Sequence, residues 1–506
     1  MHTHSLRALL VFVLFVGLLA FSNVSAANVT SRSASGRSSI QPGRYGIATA
    51  HRISTATIPQ IRGSGHDMTM PSIHDAVSTK SQDNAVPTNV PTSLNVVTVP
   101  PATSTDPTAD SGIADDGYPS PTDANGTGGT DNYIETINRE FAIYDRSGNL
   151  QYTTTYQQWF ANVEGQATTF YDPNVIWDST GQRFIFLVTT GISLLLSVAQ
   201  QTNATSGDFC NYAFPTLSGL GSDFEKLGVN NAGVFFTANE VAGGKLYNNM
   251  VFYVNRAQVE SCAQNVTYTT WTKLKNPNGT VAEAVTPAVQ PTASQGNEYF
   301  VNSYPNGGCM FTLWTLNTSS LQLSSTSVHT QCYSPAPNAP QANSSATIYT
   351  GDCSITHVSF VNGLLTFAIP GSYDFGDGKG PVAIVEWFVI NPSTAKLFSQ
   401  GAFGTPGYWL FYAAAVRNFQ GQMIFVYDVS GSSIYPSIWY VNQTFTNPQA
   451  LVQGSGPYGQ SGIQPWGDYQ SAWLDIGGSN HNAVWITGMY ANGTDSWGTE
   501  FGLVTP

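Results

Sequence analysis

Residues 468–490 read DYQSAWLDIGGSNHNAVWITGMY, and this stretch decides the fold. An acidic lead-in runs into a short aromatic and apolar strand, a turn at Gly477-Gly478, and a second apolar strand. Apolar runs bounded by Gly, Asn, Asp and Pro mark strands and tight turns rather than helices. The same unit recurs along the chain. Copies begin at Tyr171 (YDPNVIWDSTGQRFIFLVTT), Asp223 (DFEKLGVNNAGVFFTANE), Gln290 (QPTASQGNEYFVNSY), Cys353 (CSITHVSFVNGLLTFAIPG) and Tyr412 (YAAAVRNFQGQMIFVYDVS). A fainter copy starts at Pro119 (PSPTDANGTGGTDNYIETIN). Their turn glycines are Gly129, Gly181, Gly233, Gly296, Gly363, Gly421 and Gly477, separated by 52 to 67 residues.

A third apolar strand follows most pairs, such as SLLLSVAQ from Ser193, VAIVEWFVI from Val382 and PSIWYVNQ from Pro436, with room for a fourth. Such a unit cannot bury both faces alone, whereas packing in a ring does so. The pattern predicts an all-β chain, a β-propeller of seven four-stranded blades over residues 116–506, with six or eight blades left open by the faint first copy. The last copy ends one strand short of a full blade. An open edge exposes a row of backbone donors and acceptors, so the β-branched run LNVVTV at 94–99 is expected to supply the missing strand.

Residues 1–26 read as a secretory signal: Arg7, an apolar core from Leu9 to Phe21, and small residues at Val24-Ser25-Ala26. A retained anchor is the alternative. Residues 27–115 are dominated by Ser, Thr, Pro, Ala and Asn, a composition that does not offset ordering entropy. They are expected to form a disordered stalk or pro-segment. No other stretch is long and apolar enough to span a bilayer, so the mature chain is expected to be secreted or surface-associated. The chain carries 18 basic and 31 acidic residues, a net charge of -13, which excludes the basic footprint of a nucleic-acid binder. Charged residues make up only 10%, a trait that suits an acidic habitat but also accompanies β-rich composition. Nine Asn-X-Ser/Thr sites follow the signal, the pattern of a glycoprotein, although so much Asn, Ser and Thr generates such triplets by chance.

The runs PTDANGTGGTDNYIETINREFAIYDRSGNL, DPNVIWDSTGQRFIF, WGDYQSAWLD and SWGTEFGLV resemble a family of secreted microbial β-propellers, grouped with sialidase-like propellers, that has no agreed reaction. The resemblance covers residues 117–506. It matches at Asp172-Pro173, Gly351-Asp352 and Trp466-Gly467-Asp468-Tyr469. It departs at Asp223-Phe224-Glu225, and before Ala413 the acidic lead-in is missing.

In a propeller the lead-ins to the innermost strands converge at one mouth of the central channel. Asp172, Asp223, Asp352 and Asp468 are therefore expected to form an acidic ring, with Trp466 and Tyr469 as stacking platforms. Such a ring suits ligand binding or acid/base work, while carboxylates that merely cap turn amides are the structural alternative. The propeller arginines are Arg139, Arg146, Arg183, Arg256 and Arg417, and none occupies a lead-in. The bidentate carboxylate clasp of a sialidase is thus missing. The loop DANGTGGTD, with Asp123 and Asp131, imitates a calcium loop but has Ile134 where the bidentate Glu belongs. Asp374 and Asp377 read as a hairpin tip, and His357 as a packed channel residue. Neither a metal nor a cofactor is implied.

Of five cysteines, Cys309 and Cys332 fall opposite each other in a hairpin folded about Ser320-Leu321, and are expected to form a disulfide. Among Cys210, Cys262 and Cys353, at most two pair with each other. Two functions remain. The first is a non-catalytic recognition module for carbohydrate or a surface protein. The alternative is a carbohydrate-active hydrolase or lyase at the channel mouth.

Overall fold

Each of the seven glycines lies in or at the end of the turn joining the first two strands of a sheet. Gly363 and Gly421 adopt φ of +79° and +86°, where a side chain is strained. The computed structural model describes residues 38–58, 60, 94–106, 108–115, 122–165, 169–217, 219–292 and 296–506. The signal-like residues 1–26 lie outside them.

Blade 1 consists of Asn125–Gly128, Asn132–Ile137, Glu140–Asp145 and Leu150–Thr155, paired antiparallel in chain order from inside to outside. Blades 2 to 6 repeat this order over residues 171–215, 221–271, 286–333, 359–404 and 409–452. Blade 7 takes three strands from residues 471–504. Side chains alternate between the two faces of each sheet, and each pair of successive blades shares a buried cluster. Ile134 and Phe141 of blade 1, for example, meet Val175 and Phe186 of blade 2, whereas Tyr133 faces Trp485 and Phe501 of blade 7. A small three-stranded sheet of Ala339–Pro340, Thr347–Ile348 and Ile463–Gln464 joins the connections leading into blades 5 and 7.

The described residues before 116 correct the stalk expectation, because they belong to the propeller. Ser38–Ile40, Arg44–Thr49 and His51–Ser54 add fifth strands to blades 4, 3 and 2. Further on, Val96–Thr98 pairs in parallel with Lys396–Gly404 on blade 5, and Thr105 bridges Ala450 on blade 6. Finally Asp110–Ala114 supplies the fourth strand of blade 7. The segment therefore does close the last blade, but with Asp110–Ala114 and not with residues 94–99. Ile113 also donates its backbone N–H to Glu135 of blade 1 at 3.0 Å, tying the closing strand across the seam.

Cys309 and Cys332 form the expected disulfide across one hairpin, Cα to Cα 3.9 Å. A second bond, Cys210–Cys262, staples blade 2 to blade 3, and Cys353 is free and buried. No described helix is long and apolar enough to cross a membrane.

Candidate functional site

A one-residue bulge opens several inner strands. In blade 2, Tyr171 pairs with Thr189 but Asn174 with Leu187, so Asp172 and Pro173 face a single partner residue. The same shift falls at Phe224-Glu225 in blade 3 and Tyr412-Ala413 in blade 6. Its first residue is left-handed each time, with φ of 54° at Asp172, 58° at Phe224 and 46° at Tyr412. An aromatic residue there costs about 1–3 kcal/mol and persists only where its surroundings hold it. The register also corrects the repeat alignment. Phe224, not Asp223, is the counterpart of Asp172, and Asp223 matches Tyr171 and Phe411.

The lead-ins do converge, and they build a cluster whose centre is a cation the sequence did not flag. Lys226 of blade 3 is 1% exposed. Its Nζ lies 3.8 Å from the centre of the Phe224 ring and 3.5 Å from that of Tyr469, and donates to the Glu225 carbonyl at 2.8 Å. Tyr469 belongs to blade 7, and its contact with Lys226 and Phe224 therefore spans the mouth. Burial lowers the Lys226 ammonium to about 8, against the pull of Asp172, Glu225, Asp123 and Asp468. Burial, reinforced by Asp172 and Asp468, pushes the Asp123 carboxyl well above its usual range. Burial, with Asp172 and Asp223 beside it, does the same to Glu225.

Much of this carboxylate array is engaged in holding blades together. Asp172 accepts the Phe224 backbone N–H of the next blade at 2.8 Å, and its own N–H donates to Asn138 of blade 1 at 2.8 Å. Asp123 accepts the Asp468 N–H at 2.9 Å and the Asn138 amide at 2.7 Å. Asp352 accepts the Ser354 N–H at 2.7 Å within its own turn. It joins the cluster through Tyr349 and Tyr412, whose hydroxyls are raised by burial and by the charges of Asp352 and Asp468. Asp223, Phe224, Asp352 and Asp468 are half-buried and form the rim.

Trp466 is not a stacking platform. It is fully buried, packs edge-on against Tyr458, and donates its indole N–H to Asp428 of blade 6 at 2.9 Å. Tyr469 is buried too, its ring given over to Lys226. Sequence reasoning also missed Asp123 and Glu225 as mouth residues. The one available signal was the charged pair Glu225-Lys226 after Asp223-Phe224 in DFEKLGV, placed where an inner strand should be apolar.

Asp123 and Asp131 sit at opposite ends of the strand Asn125–Gly128, so they do not form a calcium loop. Asp374 and Asp377 cap their own turn, accepting the Gly376 and Lys379 N–H groups at 2.8 and 3.0 Å. At the far end of the ring, Arg146 of blade 1 clasps Asp475 of blade 7 at 2.6 Å, and Arg256 of blade 3 clasps Asp178 of blade 2 at 3.1 Å. These arginines join blades rather than line a pocket. Within the shaft, His357 is buried with its ring 4.0 Å from that of Trp473, and burial lowers it to about 4. The cavity beside Trp473, lined also by Trp177 and Val416, holds only ≈ 20 Å³, the room of about one water.

No protein-family model matches the chain, and no curated protein does. Among solved structures, U3-55K is similar at 8% identity and a TM-score of 0.39, covering 77% of this chain and 98% of that one. The Neurospora crassa Pan2 WD40 domain is similar at 9% identity and a TM-score of 0.38, covering 76% and 89%. The exo-β-1,3-galactanase 1,3Gal43A of Clostridium thermocellum is similar at 9% identity and a TM-score of 0.29, covering 76% and 96%. Likenesses this remote say nothing about activity, and the architecture is read from the seven blades themselves.

Proposed function

We propose that the protein is a secreted or cell-surface recognition module without catalysis, holding carbohydrate or another surface protein at the rim of the acidic mouth. The observation that carries this reading is the buried Lys226 ammonium between Phe224 and Tyr469. A glycosidase needs its two carboxyl groups to flank a reacting bond. Here the chain's own cation occupies the space among the carboxylates. Asp123 and Asp172, meanwhile, are committed to backbone amides of neighbouring blades. What faces solvent is a rim of Asp223, Phe224, Asp352 and Asp468, suited to accept hydroxyl or amine donors. Two disulfides support export to an oxidising compartment.

The alternative, a carbohydrate-active hydrolase or lyase, draws on one feature. Burial raises Asp123 and Glu225 towards the range of a general acid. A glycan array paired with a polysaccharide-degradation screen separates the two readings. Binding without release of reducing ends or unsaturated products is the expected result. Turnover that disappears in Glu225→Gln or Asp123→Asn would establish the enzyme instead.

A further inference from the structure

We infer that a carbohydrate site separate from the mouth lies on the flank of blade 6, in a groove that takes a short neutral oligosaccharide. The groove has a volume of ≈ 370 Å³, within the roughly 300–1,000 Å³ of small-molecule sites. It lies at the end of the ring opposite the mouth, beside the turn between the third and fourth strands of blade 6, and Thr505 borders it from blade 7. Buried Ile424 and the Tyr440 ring share the sheet face turned to blade 7 and give the lining its apolar part, while Val441, which also borders the groove, turns its side chain to the opposite face, towards blade 5. The rim is made of hydroxyls and side-chain amides, chiefly Thr444, Thr446, Asn447 and Gln449.

This lining selects its ligand by chemistry. A sugar hydroxyl both donates and accepts, and side-chain amides and hydroxyls answer it in both senses. Among the described residues no lysine or arginine lines the groove, so an anionic sugar or a phosphate finds no counter-charge. The one carboxylate among its described lining residues is Asp106, which accepts the Tyr440 hydroxyl at 2.7 Å and the Thr108 N–H at 2.8 Å. That engagement leaves little to attract a cation. The walls are also held in place before any ligand arrives. Asn442 accepts the Thr444 N–H at 3.0 Å, and Gln449 accepts the Ser104 hydroxyl at 2.5 Å. Ser104 and Asp106 belong to the N-terminal segment, which therefore helps build the site and does more than fasten blades. Preorganised polar groups of this kind lower the ordering cost of binding.

The test uses the full chain exported to a bacterial periplasm, where the Asn442-Gln443-Thr444 site is not glycosylated. Cellohexaose, mannohexaose and maltohexaose are titrated by calorimetry, with polygalacturonate as the anionic comparison. At least one neutral oligosaccharide is expected to bind and polygalacturonate is not. Affinity should fall about tenfold in Asn447→Ala, as for one lost hydrogen bond, and vanish in Asn447→Trp, which fills the groove. An unchanged melting temperature in both variants shows that the blade is intact. Binding that survives Asn447→Trp overturns the inference, as does the failure of every neutral probe to bind wild type at millimolar concentration. A ligand kept by Asn447→Trp but lost in Asp468→Asn belongs to the mouth, which refutes the groove while leaving the recognition reading standing.

Discussion

Replacing Glu386 by Gln separates the cost of a buried acid from its packing. Glu386 lies within Val382–Asn391, the third strand of blade 5, and is 1% exposed. Burial alone raises its carboxyl from 4.5 to about 8. Between those two values the folded protein keeps a proton that the unfolded chain gives up. Folding stability therefore falls as pH rises from 4.5 to about 8, and is insensitive to this group outside that window. At about 1.4 kcal/mol per pH unit, holding the proton costs about 3 kcal/mol at pH 7 and close to nothing at pH 4. Glutamine has the shape of the protonated acid and carries no such cost. With an unfolding entropy of about 2.1 cal/mol/K per residue, a unit the size of residues 37–506 has roughly 1 kcal/mol/K at its midpoint. The variant should then melt about 3 °C above wild type at pH 7 and level with it at pH 4, by calorimetry at each unit of pH. A difference of the same size at every pH, or a variant less stable than wild type at pH 7, would refute the reasoning. Glu135 and Glu500, each raised to about 7, act in the same direction, as do Asp123, Glu225, Glu298 and Asp428. The wild-type midpoint itself should rise on acidification from pH 8 to 5, in keeping with an acidic habitat.

Lys226→Met leaves the mouth carboxylates without their buried cation, which costs about 3–5 kcal/mol. Its midpoint at pH 7 should drop several degrees, and the deficit should shrink as acid protonates the carboxyls. A variant as stable as wild type at pH 7 would show that the ammonium contributes nothing there. Removing the Cys210–Cys262 bond as a double Ser variant frees a loop with a separation of 52 residues, worth about 4 kcal/mol of chain entropy. The expected fall in midpoint is about 4 °C, with non-reducing peptide maps confirming both bonds in wild type. Deleting the chain through residue 60 removes three fifth strands and should lower the midpoint while leaving a soluble ring. Deleting through residue 115 also strips blade 7 of its fourth strand, and light scattering should then report aggregation through the open edge.

The repeated blade unit, its turn positions and the Cys309–Cys332 hairpin were all legible because each is written in contiguous residues, while the faint first copy left six, seven or eight blades open until the ring was seen closed. A strand pair about Gly363 or Gly421 declares itself by alternation and by a turn that needs glycine, whatever the rest of the chain does. The convergence of Asp172, Asp223 and Asp468 followed from ring geometry once the repeat was seen. The bulge, however, shifted the true counterpart of Asp172 to Phe224. One extra residue does not alter apolar alternation enough to be read.

The N-terminal strands were hidden for another reason. An outermost strand such as Arg44–Thr49 is held mainly by backbone hydrogen bonds to Asn265–Trp271, and its side chains face water on most of their surface. Composition then looks like that of a free chain, since a ladder of N–H and C=O groups leaves no mark on side-chain identity. Nor does local sequence say that Val96 pairs with Ala402 on blade 5 while Ser111 pairs with Glu500 on blade 7. The same holds for Lys226 and Tyr469, which lie far apart in the chain and meet across the mouth. The chain's own letters determined a ring of repeated units, because each unit is local. Which strand fastens where, which tryptophan is buried and which cation fills the mouth were decided by contacts between distant residues, and only the closed ring makes those.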